Sequence, residues 1–185
     1  MAAVDRERWD GRYAGRELVE PVPPDALVAA DLVDIVPTSG RALDVACGLG
    51  AQSVWLARRG LDVVSLDVSE VAIDATRRLA AAHDVVQRVD AHRVDLDTGL
   101  PDDISGLDII VCQRFRDVAM YRQLIERLRV GGTLVLTVLS EVGADSAGPF
   151  HAPAGELTEA VASLPVDVIH QIEADGQASL VAHRT

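Results

Sequence analysis

The residues of this chain that can do chemistry lie close together. Asp44 stands three residues before Cys47-Gly48-Leu49-Gly50, and a second acid, Asp67, comes 17 residues after Gly50. Two glycines in one turn reach backbone angles that other residues avoid, so a ligand can lie against bare main chain. The N–H groups opening a following helix point at whatever occupies such a turn. An acid at the tip of the next strand can accept both hydroxyls of a ribose. The arrangement suits a nucleoside, with Asp44, Ala46, Cys47, Gly48, Gly50, Asp67 and Val68 as its candidate lining.

To place these groups, the flanking residues must form strand, turn, helix and strand. Residues 41–46 are a short, mostly apolar run that predicts a buried strand. Residues 51–59 read as a helix with Ala51, Val54 and Trp55 on one side, stopped by Gly60. Residues 61–66 predict a second strand, ending in Asp67. A dinucleotide site wants G-x-G-x-x-G. Here the run is Gly48-Leu49-Gly50-Ala51-Gln52-Ser53, so the third glycine is missing, which counts against an NAD(P)-binding protein. A glycine turn without any ligand is the plainest alternative. With its leading acid, Asp44-Val45-Ala46-Cys47-Gly48-Leu49-Gly50 resembles motif I of the class I S-adenosylmethionine-dependent methyltransferases, in the form D-x-x-C-G-x-G. The resemblance implies S-adenosyl-L-methionine as cofactor.

Length and charge narrow the field. A chain of 185 residues predicts one domain, 1–185, with residues 1–40 as a helical segment covering the donor site and 41–185 as the core. Twenty-nine acids against 17 bases, a net charge of −12, argue against a nucleic-acid partner. No apolar run approaches the ~20 residues that span a bilayer, and MAAVDRERWD is no signal peptide, so the expectation is a cytoplasmic protein without a membrane partner, monomer or homodimer. Cys47 and Cys112 have no metal-site spacing and are expected as free thiols. All the bases are Arg; without Lys there is neither a P-loop lysine nor a Schiff-base nucleophile. Without Asn, the Asn-Pro-Pro-Tyr type of motif is absent as well.

In chain order, Trp9 and Tyr13 share one face of a short N-terminal helix. They either staple this segment to the domain or close it over the donor. Trp9 to Tyr13 is similar to the W-x-x-R-Y opening of small methyltransferases of the tellurite-resistance and thiopurine group, where a leading segment lies across the cofactor. Residues 20–24 are a stiff linker, and 25–36 predict an amphipathic helix with Val28, Leu32 and Ile35 inward. Ser69 caps a helix running to about His83, striped by Val71, Ala75, Leu79 and Ala82. Strands follow at 89–94, 107–112 and 133–139, the last after a turn at 130–132, with a helix at 117–128 striped by Met120, Leu124 and Leu128. A helix at 155–164 and a hairpin of strands 165–173 and 179–184 turning near Gly176 complete the chain. The fold class is α/β. By resemblance it is a Rossmann-like, mostly parallel seven-stranded sheet of order 3-2-1-4-5-7-6, strand seven antiparallel, with helices on both faces.

The resemblance also assigns roles. Asp95 would accept the adenine amino group with Leu96 packed on the ring, unless Asp95 only caps a turn; Gln113 belongs to the same edge. Methyl transfer is an in-line displacement that needs alignment more than machinery. A small-molecule acceptor that must lose a proton would need a base. His151 is the candidate, with Glu141 and Asp145 in its loop, while His92 and His83 read as surface residues. Thiolate, selenide or telluride acceptors need none. Arg114 and Arg116 suit an anionic acceptor or, alternatively, a surface ion pair; if they continue a strand, they point to opposite faces. A donor-binding domain without catalysis fits the same residues.

Overall fold

The computed structural model describes residues 2–185, with side chains from residue 5 onward; Met1 lies outside them. The elements run α1 (Ala2–Tyr13), α2 (Asp25–Ala29), β1 (Gly40–Val45), α3 (Ala51–Arg58), β2 (Leu61–Asp67), α4 (Glu70–Ala82), β3 (Val89–Arg93), β4 (Leu107–Gln113), α5 (Val118–Arg127), β5 (Leu128–Leu139), α6 (Glu156–Val161), β6 (Val166–Ala174) and β7 (Gln177–Arg184). The sheet order is β3-β2-β1-β4-β5-β7-β6, with β7 antiparallel to both its neighbours, as the resemblance implies. Packing divides the chain into two compact units. One holds the residues up to Pro23 with Pro37–Asp102, the other Pro24–Val36 with Asp103–Thr185.

In the first unit β1, β2 and β3 are parallel, and their registers pair Asp44 with Ser65 and Asp67 with Arg93. Ala42, Leu43, Val45, Leu61, Val63 and Leu66 are buried, as the continuous apolar runs of parallel strands require. The buried face of α3 is Ser53, Val54, Leu56 and Ala57, rotated from the predicted one. Trp55 is half-buried, with the Arg59 guanidinium 5.2 Å from its ring centre. Ser69 caps α4 as expected, accepting from Ala72 N–H at 3.2 Å. Because α4 packs on α3 as well as on β2 and β3, its buried face widens to Ala72, Ile73, Ala75, Thr76, Leu79 and Ala80, while Ala82 is exposed.

In the second unit Ile109, Ile110, Val111 and Cys112 of β4 are fully buried. The helix predicted over 25–36 is instead the short α2 and a separate 3-10 turn at Val33–Ile35, both ordered around a left-handed Asp31 at φ 56°. Leu32 N–H reaches Leu27 C=O and Asp31 N–H reaches Val28 C=O, the bond pair of a Schellman cap. Its consequence is an exposed Val28 and a buried Leu27, with α2 packed on β5 and β7. Asp84 ends α4 the same way, with Val85 N–H on Ala80 C=O. Strand β5 begins at Leu128, so residues 130–132 are a pairing irregularity inside it and not a turn before it. Helix α6 is shorter than predicted. The β6–β7 hairpin closes through Asp175 and Gly176, both at positive φ, the two-residue turn that matches strand twist.

Candidate functional site

At the end of β1 the main chain turns left-handed three times, at Ala46 (φ 54°), Gly48 (φ 54°) and Gly50 (φ 84°). Ala46 carries a side chain in that region, a strain that persists only where the surroundings enforce it. Cys47 N–H on Leu66 C=O (2.9 Å) and Gly50 N–H on Cys47 C=O (3.0 Å) hold the turn. From α4, the Thr76 hydroxyl donates to Gly48 C=O at 3.2 Å. The two glycines differ in kind. A Cβ on Gly50 would lie 2.7–2.9 Å from three atoms of Thr76, so Gly50 is there to let α4 approach; a Cβ on Gly48 would meet the Tyr13 ring first, its hydroxyl at 3.1 Å. Cys47 is buried, and burial, with Asp44 and Asp67 adding, pushes its thiol well above the usual range. It is no nucleophile.

Two acids are buried here. Asp67 Oδ2 accepts from Gly48 N–H and Oδ1 from Ser69 N–H, both at 2.9 Å. Burial raises its pKa, while the amides of Ser69, Gly48 and Val68 pull it down. Asp44 is more deeply enclosed. Its Oδ2 accepts from the Ser53 hydroxyl at 2.5 Å, and Ser53 in turn accepts from the Ser65 hydroxyl at 2.8 Å. Burial raises the Asp44 carboxyl to about 7, with Asp67 adding and the Ser53 hydroxyl and amide opposing.

The N-terminal helix docks on this cluster. Asp10 of α1 accepts from the Ser69 hydroxyl at 2.5 Å, supplying a second carboxylate to the start of α4. Trp9 and Tyr13 stack with ring centres 5.7 Å apart, and the Arg12 guanidinium lies 5.4 Å from the Trp9 ring centre. Tyr13 is half-buried over Gly48, and burial, with Asp67 beside it, pushes its phenol up. These contacts staple the segment to the domain at the glycine turn. Asp95 Oδ1 accepts from Asp97 N–H at 3.1 Å, so its carboxylate caps a turn, and Leu96 is buried. His92 is exposed and paired with Asp90 at 2.7 Å; His83 ends α4 half-buried.

The remaining residues belong to the second unit. Strand β4 ends at Gln113, whose amide donates to Cys112 C=O at 3.2 Å. Arg114 then turns left-handed at φ 60°, its N–H on Thr137 C=O at 2.7 Å and its side chain exposed. The strand alternation expected of Arg114 and Arg116 therefore does not arise. Arg116 makes a two-pronged ion pair with Glu156, its Nε 2.7 Å from Oε1. His151 Nδ1 accepts from Gly148 N–H at 3.0 Å. A neutral ring so placed carries its proton on Nε2 and offers a donor, not a base. Glu141 and Asp145 are exposed in the same loop.

Sequence reading passes over Ser53, Ser65, Thr76, Asp10 and Ser69 as site residues. Only Ser53 leaves a signal, as the residue in the place of the missing third glycine.

Residues 42–132 match the family described as methyltransferase domain. A demethylmenaquinone methyltransferase of Clavibacter sepedonicus is 34% identical over 112 residues, 57% of this chain and 44% of that protein. A tRNA (uracil(54)-C(5))-methyltransferase of Pyrococcus horikoshii is 33% identical over 88 residues, 48% of this chain and 20% of that protein. This chain thus spans less than half the length of either. The crystal structure of TehB from Haemophilus influenzae superposes with a TM-score of 0.71 at 18% identity, covering 96% of this chain and 67% of that one, a likeness of fold. No helix among the described residues is long and apolar enough to cross a membrane. With the sheet order, the glycine turn and its acids, the match over residues 42–132 supports a methyltransferase domain of the class I S-adenosylmethionine-dependent kind.

Proposed function

We propose that this chain transfers a methyl group from S-adenosylmethionine to a small-molecule acceptor. The observation that carries the donor half is the pair of buried carboxylates at the glycine turn. Asp44 and Asp67 are opposed by amide and hydroxyl donors, not by guanidinium groups, so the site complements a cation. The donor supplies a methyl group already activated on a sulfonium. Asp67 holds the ribose, with its oxygens aimed by Gly48 and Ser69 N–H. Gly48 takes the methionine part where the Tyr13 ring swings aside, with Asp44, Ala46 and Cys47 beside it. Val68, Asp95 and Leu96 serve the adenosine, and Trp9 and Tyr13 exclude water above the turn.

The acceptor half is supported by charge and by Arg114. A net charge of −12 repels a polyanion, whereas a single guanidinium at a strained, exposed backbone position attracts a small anionic or polarisable acceptor. Arg116 is engaged by Glu156, and His151 would have to release Gly148 to act as a base.

Calorimetry with S-adenosylmethionine and with NAD tests the donor; tighter binding of NAD would end the reading. Product assays for S-adenosylhomocysteine, with thiol, phenol and quinol acceptors set beside unmodified tRNA, test the acceptor. Turnover on tRNA alone would replace the small molecule. Donor binding without turnover on any of them would make the chain a binding domain.

A further inference from the structure

The position that a dinucleotide fold keeps for glycine is held here by Ser53, and its surroundings give that serine a task. Asp44 on β1 and Ser65 on β2 are register partners across the parallel pair, and Ser53 in the first turn of α3 sits between them. Ser65 Oγ donates to Ser53 Oγ at 2.8 Å, and Ser53 Oγ donates to Asp44 Oδ2 at 2.5 Å. All three are buried, with 0%, 0% and 2% exposure for Ser65, Ser53 and Asp44. Every bond in the chain runs one way, toward the carboxylate. Buried polar groups must be satisfied, and a hydroxyl relay aimed at an acid is satisfied when that acid is ionised.

We propose that Ser53 and Ser65 are positioning residues for the donor: their hydroxyl relay poises Asp44 so that binding a cation at the glycine turn expels its proton to solvent. This rests on the donor reading above. Two forces oppose each other at Asp44. Burial favours the neutral acid, and so does Asp67, itself flanked by Asp10 and Tyr13 of α1; the relay and Ser53 N–H favour the carboxylate. The thiol of Cys47 beside them stays protonated. The balance falls near neutrality, so an incoming sulfonium and ammonium tip it. The proton leaves Asp44 for bulk water and no bond to the donor forms.

The test is calorimetry of S-adenosylmethionine binding to the full chain in two buffers of different ionisation enthalpy, from pH 6 to pH 9. For the wild type the expected result is release of about half a proton at pH 7, fading toward pH 9, and affinity about tenfold weaker at pH 6 than at pH 8. Ser53→Ala removes the last donor of the relay. It should bind about tenfold more weakly at pH 7, release more protons than the wild type there, and regain affinity as pH rises. The donor's own amino group titrates equally in both proteins and cancels in the comparison. Ser53→Thr keeps the hydroxyl and should restore the wild-type profile. Ser65→Ala, which leaves Ser53 on Asp44, should show the same change about threefold, and it carries the test if Ser53→Ala does not fold. A loss of affinity by the same factor at every pH, or equal proton release in wild type and Ser53→Ala, would overturn the proposal while leaving the donor site intact. A wild type that binds no S-adenosylmethionine at any pH would overturn both.

Discussion

Replacing Gly50 by alanine should cost folding stability before it costs binding. The residue sits at φ 84°, where an L side chain clashes with its own backbone at about 1–2 kcal/mol. Its Cβ would lie 2.7 Å from Thr76 Oγ1 and 2.9 Å from both Thr76 Cα and Cβ. Two of those three atoms belong to the frame of α4, which no rotamer change can move, so overpacking of about 1–3 kcal/mol adds to the backbone cost. The total, about 2–5 kcal/mol, is a large part of the roughly 5–15 kcal/mol that holds a domain together. Urea unfolding of Gly50→Ala, Thr76→Ala and the double variant, at constant m-value, gives the number and its partition. Thr76→Ala removes only the 2.7 Å approach, so it should recover less than half of the loss. At Gly48 the same substitution meets a side chain that can swing away, and only the backbone cost of about 1–2 kcal/mol remains. A Gly50→Ala protein that loses under about 1 kcal/mol, or no more than Gly48→Ala, would show that α4 does not need the bare backbone.

On the proposed ribose role of Asp67, whose oxygens already accept from two amides, Asp67→Asn should lower S-adenosylmethionine affinity by about 2–4 kcal/mol; calorimetry showing unchanged affinity would place the ribose elsewhere. Asp10→Ala should speed amide exchange across α1 while moving the stability of the whole chain by no more than about 1 kcal/mol, because the Asp10–Ser69 hydrogen bond ties a surface helix to the cap of α4 and spans no core. In the free protein the Asp44 carboxyl is raised from 3.8 to about 7. The folded state therefore binds that proton more tightly than the unfolded one, and the stability it contributes is full below about pH 4 and is lost as pH rises through about 7. Urea midpoints at pH 5 and pH 8 should differ in that sense for the wild type and less for Asp44→Asn; an equal pH dependence in both would assign it to other groups. Arg114→Ala should raise the acceptor's KM with donor affinity unchanged, whereas Arg116→Ala should change stability by under about 1 kcal/mol and leave the KM alone.

What the sequence shows clearly is whatever depends on periodicity and glycine. The βαβ unit, its acid at Asp67 and the hairpin at Gly176 are legible because strand runs, turn glycines and a terminal acid are local signals. The single helix predicted over 25–36 fails because aspartate, not glycine, takes the left-handed cap position at Asp31, and an Asp in a polar segment carries no punctuation of its own. The turn predicted at 130–132 fails because its glycines mark a pairing irregularity inside β5, a distinction that only the partner strand makes. Ser53 and Ser65 are invisible for a different reason. Their function lies in a register, Asp44 against Ser65, and in which face of α3 turns inward, neither of which one residue's identity reveals.

That same relay explains the ligand preference better than the count of glycines does. A dinucleotide brings a pyrophosphate to the start of the helix after β1, where a buried acid before the turn opposes it, whereas an acid at the end of β2 serves a ribose in either kind of site. Here Asp44 and Asp67 flank the turn, Asp10 stands at the next helix, and the donors that oppose the two buried acids are hydroxyls and amides. Dipoles of that kind stabilise a carboxylate without neutralising it, so the field at Gly48 stays negative. The missing third glycine is then the cost-free part of the change, because Ser53 fits where glycine would and holds the acid that repels phosphate. On the proposed donor reading, a sulfonium and an ammonium on one small molecule meet that field with the right sign.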